Sequence, residues 1–113
     1  MFAVELDDSL LIYQAESDYL TRDETLLVTK QFEGIFPAAG YSYFIVDLRG
    51  VKAFSSSFVG FLLLARQKCA DVKCKIVLCN IEKHAMDTLK TMCLAKLFTI
   101  VPDRQAARSV MGI

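Results

Sequence analysis

A chain of 113 residues is sized for one domain in which a single sheet and a few helices share a core. Its 13 basic and 13 acidic residues cancel and form no basic cluster, which argues against direct nucleic-acid binding. The hydrophobic fraction is high at 54%, yet the apolar stretch Phe58 to Ala65 is far shorter than the roughly 20 residues of a membrane-spanning helix, so no membrane insertion is expected. The amino terminus, MFAVELDDSLLIYQ, carries acids where a secretion signal carries bases, and a soluble cytoplasmic protein is expected.

Taken in chain order, Phe2 to Leu6 and Ser9 to Gln14 read as short strands joined by a hairpin turn at Asp7-Asp8. Thr21-Arg22-Asp23-Glu24 matches a capping box, in which Thr21 closes the start of a helix and Glu24 reaches back. That helix carries the stripe Val28, Phe32 and Ile35 and is expected to stop near Gly34 to Pro37. Tyr43 to Leu48, YFIVDL, is a continuous apolar run of the kind found in buried strands. Ser56 to Ala70 forms the second helix, with Phe58, Phe61, Leu62, Ala65 and Cys69 on one face. Lys75 to Asn80 is a further strand, and a helix from about Glu82 to Cys93 turns Ala85, Leu89, Met92 and Cys93 to the core. Leu97 to Val101 reads as the last strand, and Pro102-Asp103 opens a short helix carrying Ala107, Val110 and Met111. Strands alternating with helices imply crossover connections and a mostly parallel sheet, with Tyr43 to Leu48 and Lys75 to Asn80 at its centre.

Few residues offer chemistry. The cysteines at 69, 74, 79 and 93 lack the spacing of a zinc knuckle or a redox motif, so buried free thiols are expected, with no metal or other cofactor. His84, the one histidine, sits beside Lys83 on a segment whose apolar residues face elsewhere and reads as a solvent-exposed helix residue. Neither GxGxxG nor GxxxxGK[ST] occurs, the flanks of Ser55 to Ser57 do not match G-x-S-x-G, and Asp47 has no second carboxylate nearby to share a metal. No catalytic residue is assigned, and an enzyme is not expected.

Ala53 to Leu64, AFSSSFVGFLLL, carries more information, because Ser55, Ser56 and Ser57 fall where a strand signal gives way to a helix signal. A helix start exposes unpaired backbone N–H groups and the positive end of the helix dipole, so hydroxyls cap it well and a phosphate is tolerated. The serines are therefore either caps or a regulatory phosphorylation site. They follow the carboxyl end of a central strand by a short loop, which is where open α/β sheets place their functional groups.

FIVDLRGVKAFSSSFVGFLLLARQKC resembles the STAS domain, the module shared by sulfate transporters and bacterial anti-sigma factor antagonists. The family pattern is an apolar strand ending in aspartate, a short loop, Asp-Ser-Ser-Gly, a hydrophobic residue and Gly, then an apolar helix. KIVLCNIEKHAMDTLKTMCLAKLFTIVPDRQAA continues the likeness through the later strands and helices. The resemblance covers essentially the whole chain, 1–113, as one STAS domain, the amino-terminal third in pattern alone. It implies an α/β fold with a mixed four- to five-stranded sheet and about four helices packed on one side.

Anchored on Gly60, Ser56 matches the serine that a partner kinase phosphorylates in the family's anti-sigma factor antagonists. Ser57 then matches the second serine, Ser55 stands in place of the aspartate, and Phe58 in place of the first glycine. The resemblance thus implies a protein that binds an anti-sigma factor, itself a serine kinase, and releases a sigma factor until Ser56 is phosphorylated, Ser55 and Ser57 being the lesser candidates. Its docking surface is expected around Ser55, Ser56, Ser57, Phe58 and Val59, with Phe58 divided between core and exposed patch, and its state as a monomer or weak dimer. A scaffold or transport-accessory STAS module without phosphoregulation is the alternative, and a small-ligand or lipid-binding domain a third class.

Overall fold

The computed structural model describes residues 1–6 and 9–113, those at 37–39 by backbone alone. A five-stranded sheet forms from β1 (Phe2–Glu5), β2 (Leu10–Gln14), β4 (Tyr43–Asp47), β6 (Lys75–Cys79) and β7 (Thr99–Val101), in the order β1-β2-β4-β6-β7. β1 pairs antiparallel with β2, while the β2–β4, β4–β6 and β6–β7 pairs are parallel. The two strands expected at the centre lie side by side, in register from Tyr43 opposite Lys75 to Asp47 opposite Cys79. The turn expected at Asp7-Asp8 lies outside the described residues.

A second, two-stranded parallel ribbon joins β3 (Tyr19–Leu20) to β5 (Ala53–Phe54). Two-residue strands carry no periodicity, so nothing in the sequence announces them.

The helices are α1 (Arg22–Ala39), α2 (Ser56–Asp71), α3 (Lys83–Thr91) and α4 (Arg104–Met111), with a 3-10 turn at Ala95–Leu97 before β7. One face of the sheet gives Leu11, Tyr13, Phe44, Val46 and Leu78 to the main core, where α1, α2 and α3 add Phe32, Phe58, Phe61, Leu62, Ala85 and Leu89. The alternate residues Leu10, Ile12, Ile45, Val77 and Cys79 point to the opposite face and are covered by Ala107 and Met111 of α4. The helices were expected on one side, and α4 departs from that arrangement. Central strands apolar on both faces need cover on both, and α4 supplies the second layer.

Thr21 caps α1 as its sequence predicts, its Oγ1 accepting from the Glu24 N–H at 3.2 Å. Thr21→Ala should destabilise the domain by about 1 kcal/mol, a loss that urea titration would read directly. The helix does not stop at Gly34 to Pro37; it runs to Ala39 and ends on Gly40 in the left-handed conformation, φ 62°. A proline this close to the end forfeits one backbone bond, whereas the extra turn buries Phe36, stacked 4.8 Å from Phe32. Phe36 therefore continues the buried stripe of Val28 and Phe32, with Ile35 half-buried at its edge.

α3 is shorter than expected. It ends at Thr91, Cys93 turns left-handed at φ 59°, and Met92 and Cys93 are exposed, so only Ala85 and Leu89 of the four expected residues reach the core. Beyond a helix end the 3.6-residue period no longer governs side-chain direction, and Leu94 takes the inward place. Val110 of α4 is exposed for a simpler reason: in a helix this short, Ala107 and Met111, four residues apart, already cover the sheet.

Candidate functional site

α2 begins with Ser56, directly after the ribbon strand β5. Ser55 occupies the cap position with extended backbone, φ −71° and ψ 165°, its N–H donating to Leu20 O at 2.9 Å and its carbonyl accepting from the Phe58 N–H at 3.0 Å. The short ribbon thus sets where α2 starts. Ser55 Oγ makes no side-chain cap bond; it is the one buried side-chain oxygen among the described residues without a hydrogen-bond partner. Capping by the Ser55 hydroxyl is therefore not what the structure shows.

Ser56 is exposed and Ser57 half-buried. The first turn of α2 contains no acidic residue, so none of its own side chains offsets the free N–H groups and the dipole there. Phe58 is wholly buried, its ring 5.3 Å from Phe54 and 5.5 Å from Phe61, and Val59 is buried beside it. Phe58 was divided between core and docking patch, and its ring belongs to the core; Val59, expected at the docking surface, is buried as well. The 3.6-residue period forces this, since Phe58, Phe61, Leu62 and Ala65 share the face that meets the sheet. At this end of α2 the side-chain surface comes from Ser56 and Ser57, next to exposed Gly60.

A polar network stands at the carboxyl ends of β2, β4 and β6. Asp47, the last residue of β4, is 2% exposed and accepts from Asn80 Nδ2 at 2.9 Å, from the Arg49 N–H at 3.0 Å and from Arg104 Nε at 2.5 Å. Arg104 also donates to Gln14 Oε1 at 2.6 Å. Asn80 reaches Asp47 from a left-handed backbone, φ 56°, a conformation that asparagine tolerates better than most residues. Burial pushes the Asp47 carboxyl upward, but the donors from Asn80, Arg104 and Arg49, with the charge of Arg104, together hold it below the usual carboxylate range.

The network lines a cleft of about 410 Å³, in which Gln14, Asp47, Asn80 and Arg104 pair with one another. Its role is to fasten α4 to the strand ends. Gln14, Asn80 and Arg104 were not singled out from the sequence; only Asp47 was, and its side-chain partners lie 33 and 57 residues away.

Cys69, Cys74 and Cys79 are buried and Cys93 is exposed, all as free thiols, so the expectation of burial holds for three of the four. The Cys79 thiol is pushed up to about 12, by burial first and by the Asp47 carboxylate second, and stays protonated at neutral pH. His84 is exposed, as its sequence position suggests. Among the described residues no helix is long and apolar enough to cross a membrane.

The model of the STAS domain matches residues 3–107, and the chain belongs to that family. The Thermotoga maritima protein TM1081 superposes with a TM-score of 0.81 at 14% identity, over 96% of this chain and 91% of that one. The unphosphorylated form of the anti-sigma factor antagonist SpoIIAA gives 0.80 at 17% identity, over 100% and 98% of the two chains. SpoIIAA of Bacillus in its phosphorylated form gives 0.72 at 16% identity, over 97% and 99%. At these identities the likeness is one of fold: a mixed sheet of five strands with four helices. No curated protein matches the sequence.

Proposed function

We propose that this STAS domain is a cytoplasmic anti-sigma factor antagonist. In this reading it binds an anti-sigma factor that is also a serine kinase, through the surface around the start of α2, and loses affinity when Ser56 is phosphorylated. The observation that carries the reading is the exposure of Ser56 at the first position of α2, in a domain whose fold is that of SpoIIAA, a protein known in unphosphorylated and phosphorylated forms. Phe58, which replaces a family glycine, turns its ring inward and leaves the approach to Ser56 open.

The protein is then a substrate of the kinase and not a catalyst. Phosphorylation adds roughly 1.5 to 2 negative charges and three acceptor oxygens. On the isolated domain these meet the positive end of α2, so the fold tolerates them. At a docked face they bring like-charge repulsion and a desolvation cost, which weakens the complex.

Calorimetry against the cognate anti-sigma kinase tests this. Ser56→Asp is expected to weaken binding at least roughly tenfold, about 1.4 kcal/mol, while Ser56→Ala binds nearly as well as the parent. Phosphate on Ser56 is expected in protein purified from its own host. Equal affinities for the three proteins would remove Ser56 as the switch and favour a STAS scaffold without phosphoregulation.

A further inference from the structure

Three helices of this fold end in the same way. Lys73 after α2, Cys93 after α3 and Gly112 after α4 all take left-handed backbone, with φ of 59°, 59° and 77°. Each N–H bonds back into the last turn, Lys73 to Ala70 O at 3.3 Å, Cys93 to Lys90 O at 3.0 Å and Gly112 to Ser109 O at 3.2 Å. The next residue closes a wider ring: Cys74 N–H to Cys69 O at 2.8 Å, Leu94 N–H to Leu89 O at 2.8 Å and Ile113 N–H to Arg108 O at 3.0 Å. This closure characteristically brings the side chains of its first and last residues into contact. At α3 that pair is Leu89, buried in the main core, and Leu94, half-buried and packed against it. At α2 it is Cys69 and Cys74, 1% and 6% exposed.

The backbone bond also limits the distance between the two cysteines. With standard bond lengths, a 2.8 Å bond from the Cys74 nitrogen to the Cys69 oxygen keeps the α-carbons within about 6.7 Å. Disulfides span roughly 4.4 to 6.8 Å between α-carbons.

We propose that Cys69 and Cys74 form a reversible, oxidation-dependent disulfide that staples the end of α2 to the start of β6. The oxidant is a hydroperoxide. Cys74 is the attacking sulfur, because it is the more exposed of the two, 6% against 1%, and the neighbouring Cys69 thiol lowers its pKa while that of Cys69 is raised. The Cys74 thiolate takes the distal oxygen of hydrogen peroxide, breaking the O–O bond and releasing hydroxide, which becomes water on protonation. The resulting sulfenic acid is attacked by Cys69 sulfur; the S–O bond breaks, the S–S bond forms and the Cys69 proton leaves with a second water. Two electrons pass from the thiols to one peroxide. Cys79 packs on the opposite face of the sheet, against α4, and Cys93 is exposed at a different helix end, so neither belongs to the pair.

Mass spectrometry of the folded parent protein decides the matter. After hydrogen peroxide, acid quenching and alkylation in denaturant, the protein is expected to have lost about 2 Da, two hydrogens, and to alkylate at two of its four cysteines. Trypsin cuts after Lys68, Lys73 and Lys75, leaving Cys69 and Cys74 on separate peptides that only the disulfide holds together. That linked pair should appear and should vanish on reduction with dithiothreitol. In Cys74→Ser, checked for folding by circular dichroism, the linked pair is absent. Full alkylation of Cys69 and Cys74 in the oxidised parent, or oxidation confined to Cys93, would overturn the proposal.

Discussion

Phe58→Ala is expected to destabilise the domain by about 3–5 kcal/mol, the range for truncating a fully buried phenylalanine. The ring is wholly buried between the ribbon strand β5, the sheet and the next turn of its own helix, within 6.5 Å of Tyr13 as well as Phe54 and Phe61. Removing it costs its transfer from water, its tilted ring contacts with those aromatics, and a cavity that neighbours on three elements cannot readily fill. Urea unfolding should show the midpoint falling with an unchanged slope. A docking residue on the surface would behave otherwise, shifting stability by no more than about 0.5 kcal/mol while weakening the partner complex. A stability close to the parent's would return Phe58 to the docking surface.

Phe58 also shows what a sequence conveys and what it withholds. Its place in a helical stripe with Phe61, Leu62 and Ala65 was legible, because the period of a helix is local. Its complete burial was not, since that depends on Tyr13 and Phe54 arriving from elsewhere in the chain. The same division runs through the fold. Tyr43 to Asp47 and Lys75 to Cys79 were recognisable as interior strands from continuous apolar runs, and the Thr21 cap from four adjacent residues. The far end of α1 was misplaced because Gly34 and Pro37 are local stop signals that the burial of Phe36 overrides. Both α4's position on the second face and the partners of Asp47 are matters of tertiary arrangement, and Gln14 and Arg104, which bond to each other, stand 90 residues apart.

Asp47→Ala should destabilise the protein by about 2–4 kcal/mol and loosen α4 before the rest of the fold. The carboxylate is buried, and its removal leaves the Asn80 amide, the Arg49 N–H and the Arg104 guanidinium without their acceptor. Breaking a buried pair from one side costs about 3–5 kcal/mol, and the Arg104 side chain, 39% exposed, recovers part of that through water. The pH dependence identifies the charge as the cause. Asp47 titrates lower in the folded state than in the unfolded chain, where a carboxyl of its type titrates near about 3.9. Its stabilisation is therefore fully present above that value and is lost as pH falls through the folded pKa. The stability gap between parent and Asp47→Ala should be constant from about pH 5 to 8 and should close below about pH 4. A gap that persisted into acid would mean that the side chain acts through its shape alone. Hydrogen exchange at neutral pH should place the change in α4, because Arg104 at its first position joins that helix to the ends of β2 and β4, leaving Ala107 and Met111 as its apolar hold on the sheet.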